Sequence, residues 1–309
     1  MESTQSLKKR IKSVANINKI TKAMELVAAT KMRKAQEVAL ASRPYAFAAL
    51  DLLANVTLME TELPELLKKR KVHKTLFVLV ASDKGLAGAF NSSLFRKFEQ
   101  TVRRQTSYGL EDFVAVGEKT AAYLSRKGHH PIKKFTNAGD FTTPEQVKPL
   151  ADFLVEGYIK KEWDKVIVFS THFKSALKQE PLMREILPIS FESIKETIKD
   201  IVPETGRFSD IIKKDSMFPA AAGSMLYTIE PSPKVVLEDL TKHLFFMQIY
   251  HLILEANAAE HSARRMAMKT ASDNASELGE NLNLQYNKSR QAGITNQIIE
   301  ISAGAEALS

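Results

Sequence analysis

The stretch best suited to chemistry is Ser82-Asp-Lys-Gly-Leu-Ala-Gly-Ala-Phe-Asn91, a glycine-containing turn that follows an apolar, β-branched run. Phosphate-binding loops occupy that position in α/β proteins, because backbone N–H groups at a strand-to-helix turn can face an anion. The spacing argues against one here. There is no G-x-G-x-x-G, and Gly85 and Gly88 are not followed by the Lys-Ser or Lys-Thr of a P-loop. A tight strand-to-helix turn is the plainer reading. None of the seven histidines has metal-ligand spacing: His129-His130 precedes Pro131, and His251 and His261 stand ten residues apart. No G-x-S-x-G elbow is present, and the paired carboxylates Glu238-Asp239 fall on a helical surface with no pocket implied. The lack of cysteine removes disulfides, thiolate ligands, a thiol nucleophile and thiol redox control together, and a reducing compartment is the simplest inference. The sequence therefore predicts no catalytic residue, no metal and no cofactor.

The elements that would hold any such residues can be read from the patterning. With 309 residues, 44% hydrophobic and 26% charged, the chain suits one or two folded domains. No run approaches the roughly 18 apolar residues of a membrane-spanning helix, so membrane association is expected only through partners. The net charge of +8 is uneven: residues 1–50 carry ten Lys or Arg against three Glu, and residues 234–309 carry seven against nine acidic residues. Two long helices of opposite sign suit each other as neighbours.

Residues 234–309 contain no proline and only Gly279, Gly293 and Gly304. One continuous helix of that length would extend about 110 Å at 1.5 Å per residue, with Gly279 and Gly293 the places where it could break. Apolar positions step by fours and threes through Phe245, Ile249, Leu252, Ala256, Ala259, Ala263 and Met266, then Ala267, Ala271, Ala275, Leu278 and Leu282. Such a seam needs a partner helix, and its alanines allow close approach. Residues 1–63 offer one. Leu7, Ile11 and Val14, then Ile17, Ile20, Met24 and Val27, then Ala28, Met32, Ala35 and Ala39 form a narrow apolar stripe. Pro44 should bend that helix near Arg43.

The middle of the chain, residues 73–229, changes character. Residues 75–81, 112–116 and 165–171 read as buried strands, separated by helical patterns at 92–104, 118–127 and 143–161. That alternation predicts a layered, Rossmann-like α/β domain with a mainly parallel sheet. Residues 169–178 and 182–190 suggest an antiparallel pair at its edge. Residues 68–71 are a basic run expected to be a solvated connection, and 207–223 read as loop. The fold class is therefore α/β, with a domain inserted between the terminal helices of a long antiparallel coiled coil and expected at one end of that rod.

Several function classes fall away. The basic N-terminal helix has no aromatic residue before Tyr45, so nucleic acid is not an expected partner. The same segment has some features of a transit peptide, yet its helical pattern runs past Met32 with no small-residue cleavage site. From Gln291 onward the only charges are Glu300 and Glu306, among Ile294, Ile298, Ile299, Ile301 and Leu308. A helical tip this apolar requires enclosure, which a sleeve of other subunits would provide. The alternative to such a shaft is a nucleotide-binding enzyme that the long helices dimerise.

Residues 20–36 (ITKAMELVAATKMRKAQ), Ser42-Arg-Pro-Tyr45, the SDKGLAGAFN turn, and the ending from Tyr286-Asn-Lys-Ser-Arg-Gln-Ala-Gly-Ile-Thr295 through Glu300-Ile-Ser-Ala-Gly-Ala305 resemble the γ subunit of the F-type rotary ATP synthase over essentially the full length. The resemblance implies a non-catalytic central shaft. Its paired helices would turn inside a ring of α and β subunits, and its α/β domain would meet the ε subunit and the c-subunit ring. Carried over by position, shaft contacts fall at Met24, Arg264, Arg290, Gln291 and Thr295, with Lys22, Lys31 and Arg33 as additions. Tyr227 and Glu230 fall on the side facing the c ring. The cysteine-containing regulatory insert of the chloroplast type is missing. The short stretch before Met24 leaves no room for a cleaved presequence, so a bacterial form on the cytoplasmic face of the inner membrane is expected.

Overall fold

A computed structural model describes residues 3–41, 45, 48–49, 52–53, 56–57, 62–104, 110–137, 139, 142–190 and 229–306. Tyr227, the expected bend at Pro44 and the expected loop at 207–223 lie outside the described residues. The elements in chain order are α1 (Thr4–Ala41), a 3-10 turn (Glu65–Leu67), β1 (Lys74–Val80), α2 (Phe90–Arg104), β2 (Leu110–Val116), α3 (Glu118–Arg126), β3 (Lys133–Phe135), α4 (Pro144–Ile159), β4 (Lys165–Phe173), β5 (Gln179–Leu187) and α5 (Pro233–Glu306). The chain divides into two compact units, Ala29–Arg264 and the pair Met1–Ala28 with Arg265–Ser309.

The larger unit is the predicted α/β domain. Its sheet has the order β3-β2-β1-β4-β5. β1 through β4 run parallel, and β5 lies antiparallel to β4. Alternate residues of the central strand serve opposite layers, as a twofold side-chain period requires. Leu76, Val78 and Val80 join α4 and α5 in one apolar cluster, while Phe77 and Leu79 join Leu94 and Phe98 of α2 and Tyr123 and Leu124 of α3 in another. α4 begins with a capping box, in which Thr143 and Gln146 satisfy each other's backbone N–H, and with Pro144 at its first turn.

Three expectations are corrected here. The third parallel strand and the first member of the antiparallel pair are one strand, β4, which is long enough to pair on both sides. β3 is an extra strand, and its sequence Lys-Lys-Phe is too short and too charged to show alternation. The basic run at 68–71 is not merely solvated. The Arg70 guanidinium pairs with Asp164 at 2.8 Å, lies 4.1 Å over the Tyr158 ring and donates to the carbonyls of Tyr158 and Trp163. It staples the connection to the end of α4.

His251 on α5 is buried, and desolvation pushes its imidazole down to about 4 from the ordinary 6.5. The unfolded chain therefore binds a proton between those two values that the folded chain does not. Stability from this group is complete above about pH 6.5 and is lost as pH falls towards about 4, about 3 kcal/mol in all. His251→Gln should flatten that part of the urea-midpoint against pH curve; an unchanged slope would show that other groups dominate it.

In the smaller unit, α1 residues 4–28 pair antiparallel with α5 residues 265–306. Asn18 Nδ2 donates to the Ser272 carbonyl at 3.2 Å and to Ser276 Oγ at 2.6 Å, whereas Val14 lies opposite Gly279. α5 runs unbroken through Gly279 and Gly293, since continuous backbone hydrogen bonding outweighs a glycine cost of about 1 kcal/mol each.

Candidate functional site

The SDKGLAGAFN turn follows β1, at the carboxyl ends of the parallel strands where strand order reverses and α/β proteins usually bind ligands. In this chain its polar groups close on the protein itself. The Asp83 carboxylate accepts from the backbone N–H of Glu118 at 3.1 Å and of Asn137 at 3.0 Å. Asn91 and Ser82 bond to one another, and Ser82 Oγ donates to the Lys84 carbonyl at 2.7 Å. Ala87 and Phe90 pack on Ala258 and Ala259 of α5 and on Phe173. The crevice that could hold a nucleotide is thus met by the long helix. Beside it lies a cavity of about 240 Å³ lined in part by Lys31, Lys34, Tyr250, Asn257 and His261. Asn257 donates to Thr142 Oγ1 at 2.6 Å, and His261 Nε2 is 2.9 Å from the Gly139 carbonyl. Among the described residues no group of three or more His, Asp or Glu is placed to hold a metal.

Arg264 belongs to this arrangement. It pairs with the buried Glu260 at 2.6 Å and donates to the carbonyls of Lys84 at 3.2 Å and Gly85 at 3.3 Å. Its guanidinium therefore ties the turn to α5, a link invisible in the sequence because 179 residues separate the groups. The other residues expected to form contacts lie apart from it. Lys22 and Arg33 are exposed, Met24 and Lys31 half-buried, and Arg290, Gln291, Thr295 and Glu230 exposed. Lys22 bonds to Glu25 at 2.9 Å.

What the small unit does with its apolar residues differs from the expected seam. On α1 a run of buried and half-buried positions, Thr4, Leu7, Ile11, Val14, Asn18, Thr21, Glu25 and Ala28, steps by threes and fours, with Ser6 and Met24 half-buried beside it. On α5 the matching run is Met268, Ser272, Ala275, Gly279, Leu282, Tyr286 and Ser289, with the expected seam residues Met266, Ala267 and Ala271 half-buried beside it. The seam is thus narrow and half polar. Ile17, Ile20 and Val27, expected within it, are 48%, 59% and 52% exposed, and Leu278 is 46% exposed. At 100° per residue the Ile17, Ile20, Met24, Val27 stripe lies about 110° round the helix from the seam. Further along α5, Leu284, Ile294, Ile298, Ile299 and Ile301 are exposed as well. Periodicity ran the two sets of α1 positions together as one stripe, because steps of three and four connect them, and could not tell which set faces the partner helix. The small residues Ser272, Ala275 and Gly279 were the available signal, since they allow the close approach that draws Asn18 inward.

A family model described as ATP synthase matches residues 3–308. The ATP synthase gamma chain of Opitutus terrae is 39% identical over 305 residues, covering 98% of both chains. That of Herpetosiphon aurantiacus is 37% identical over 318 residues, covering 100% of this chain and 99% of the relative. Among solved structures, a chain of the Euglena gracilis mitochondrial ATP synthase OSCP/F1/c-ring in rotational state 3 is similar with a TM-score of 0.63 at 16% identity, over 99% of this chain and 94% of that one. A chain of the Tetrahymena thermophila mitochondrial ATP synthase central stalk and c-ring is similar with a TM-score of 0.57 at 22% identity, over 82% and 99%. At those identities the structures speak for the fold.

Proposed function

The chain belongs to the ATP synthase gamma-chain family and is a non-catalytic central-shaft subunit of a rotary ATP synthase, and from that premise we propose how its surfaces are used. Residues 1–63 and 234–309 are the shaft, and residues 73–229 are the foot. The α and β subunits of the catalytic head enclose the paired helices, and the ε subunit and the c-subunit ring meet the foot. Glu230 lies on the ring-facing side, with Tyr227 beyond the described residues. As a gamma chain it is a peripheral part of a membrane-bound complex, and no described helix is long and apolar enough to cross a membrane. Its place is the cytoplasmic face of a bacterial inner membrane, as its bacterial relatives suggest.

The observation that carries this reading is the outward apolar stripe of the smaller unit, beside a seam that is half polar. A coiled coil that lives in water buries its apolar stripe and exposes its polar one. Here Asn18, Thr21 and Ser272 face inward while Ile17, Ile20 and Val27 face outward. An outward apolar stripe suits a surface that other subunits enclose. It also suits turning, because apolar contact has no preferred direction and can be exchanged without breaking fixed hydrogen bonds. Directional contacts are then few: Lys22, Lys31 and Arg33 on α1, with Arg290, Gln291 and Thr295 on α5, opposite acidic loops of the head. The alternative of a dimerised nucleotide-binding enzyme gains nothing from the turn, whose polar groups are engaged internally.

Two arginines test the assignment by contrast. Arg290 is exposed, so Arg290→Glu should leave chain stability within about 0.5 kcal/mol and lower coupled ATP synthesis about tenfold, through loss of a charge-assisted contact with the head. Arg264→Glu should instead cost about 3 kcal/mol of folding stability, because Glu260 loses its partner. Wild-type synthesis in Arg290→Glu, measured in inverted membrane vesicles, would overturn the contact at the tip.

A further inference from the structure

Even-numbered residues of β4 line the sheet face that α5 covers. Val166 and Val168 share an apolar cluster with Phe245, Ile249, Leu252 and Ile253 of the helix. Further along, the same face turns polar at Ser170 and His172, and the helix offers Glu255. The Glu255 carboxylate bonds His172 Nδ1 of β4 through one oxygen and takes Arg184 Nη1 of β5 at 3.1 Å through the other. Arg184 Nη1 also reaches Ser170 Oγ at 3.4 Å. Side-chain exposures are 7% for His172, 10% for Glu255 and 11% for Arg184. Three charged or chargeable groups from three elements thus meet out of water.

We propose that Glu255, held by His172 and Arg184, is a positioning residue that fixes the rotational setting of α5 on the sheet, so that torque passes between shaft helix and domain without slack. Around it the helix presents Ala256, Ala258 and Ala259. Small apolar side chains hold two surfaces together but oppose a turn of the helix about its own axis only weakly, since their attraction is non-directional. A carboxylate bonded from two strands has one good geometry, and a small rotation strands its charge. Buried networks of this kind add little net stability over an apolar replacement, and their best-attested use is to fix register. A chain that carries load along α5 has a use for register. The inference rests on the shaft reading above.

The test uses the assembled enzyme released from the membrane, its head fixed to a surface. A bead is attached through a cysteine introduced at Leu177, which is 79% exposed in a chain with no native cysteine. Stepwise turning of the wild-type bead under ATP checks the shaft reading by itself. The angular width within each pause checks the clamp. Glu255→Gln should broaden the variance of that width about twofold, because neutralising the shared acceptor weakens both bonds of a cooperative network. Val168→Ala, which removes apolar contact from the same interface, should lower thermal stability while leaving the width unchanged. Wild-type width in Glu255→Gln, or equal broadening in Val168→Ala, overturns the proposal. If Glu255→Gln does not assemble, Arg184→Lys takes its place: it keeps the charge and loses the reach to Ser170, so it should broaden the width by a smaller factor, and wild-type width there overturns the proposal too.

Discussion

Substituting alanine for Gly117 is expected to cost the chain about 4 kcal/mol, a large part of the 5–15 kcal/mol that holds a typical domain together. Gly117 joins β2 to α3 at φ 91°, a setting that costs a side-chain-bearing residue roughly 1–2 kcal/mol. The larger effect is steric. A Cβ at this position would lie 2.1 Å from the Ala81 carbonyl oxygen and 3.0 Å from that of Ser82. Both are backbone, and both are held: the Ala81 N–H donates to Val116 O at 3.0 Å, and Ser82 O accepts from Lys119 N at 3.0 Å. Neither can retreat without opening the start of the SDKGLAG turn. Gly128 separates the two effects, because it also has positive φ, 78°, but nothing lies within 4 Å of an added Cβ. Gly128→Ala should therefore cost only about 1–2 kcal/mol. Urea midpoints of the two variants measure the difference; equal losses would mean that backbone strain, not the clash with Ala81, governs position 117.

The double substitution Ile17→Asp with Ile20→Asp is expected to leave folding of the isolated chain nearly unchanged and to abolish stable assembly with the head. Both side chains are about half exposed, and surface changes of this kind usually stay within about 0.5 kcal/mol. In the enclosed shaft the same positions lose about 1.5–3 kcal/mol each of apolar burial and add the cost of desolvating two carboxylates. The sum corresponds to at least a thousandfold in affinity. Thr21, 9% exposed and donating to the carbonyls of Ile17 and Asn18 at 3.0 Å, offers the opposite pattern. Thr21→Asp should destabilise the helix pair itself. Size-exclusion chromatography with the head subunits and thermal melts of the chain alone read the two effects; wild-type assembly in the double variant would mean that the Ile17 stripe is not enclosed.

The sheet was legible because buried parallel strands are short apolar β-branched runs, and Thr75, Asp112 and Lys165 each open one within two residues of where the strand begins. β3 was not, because three residues beginning Lys-Lys carry no period. The terminal helices and their antiparallel pairing were also legible, from the absence of breakers and the matching stripes. Their facing was misread at Ile17, Ile20, Val27 and Leu278, because hydrophobicity identifies a stripe that must be covered without saying by what. In a chain that folds alone the partner helix covers it. In the shaft proposed above the cover comes from other chains, so Asn18, Thr21 and Ser272 can share the seam with Leu7, Ala28 and Leu282. The hold of Arg264 on the Lys84 and Gly85 carbonyls was not legible either, because it depends on a fold that brings α5 to the end of β1. The Glu255 network escaped for the same reason, since no spacing relates His172, Arg184 and Glu255.

The claim that a solvated apolar stripe becomes an enclosed bearing can be read at one position. A cysteine introduced at Ile20 is the only thiol in the chain, and its rate of reaction with a maleimide reports access to that stripe. In the isolated chain the reaction should run at the rate of an exposed thiol, because Ile20 is 59% exposed. In the complex with the head subunits it should slow by an order of magnitude or more, while a cysteine at Leu177 on the β4–β5 hairpin keeps its rate. Equal reactivity at position 20 with and without the head would contradict the account.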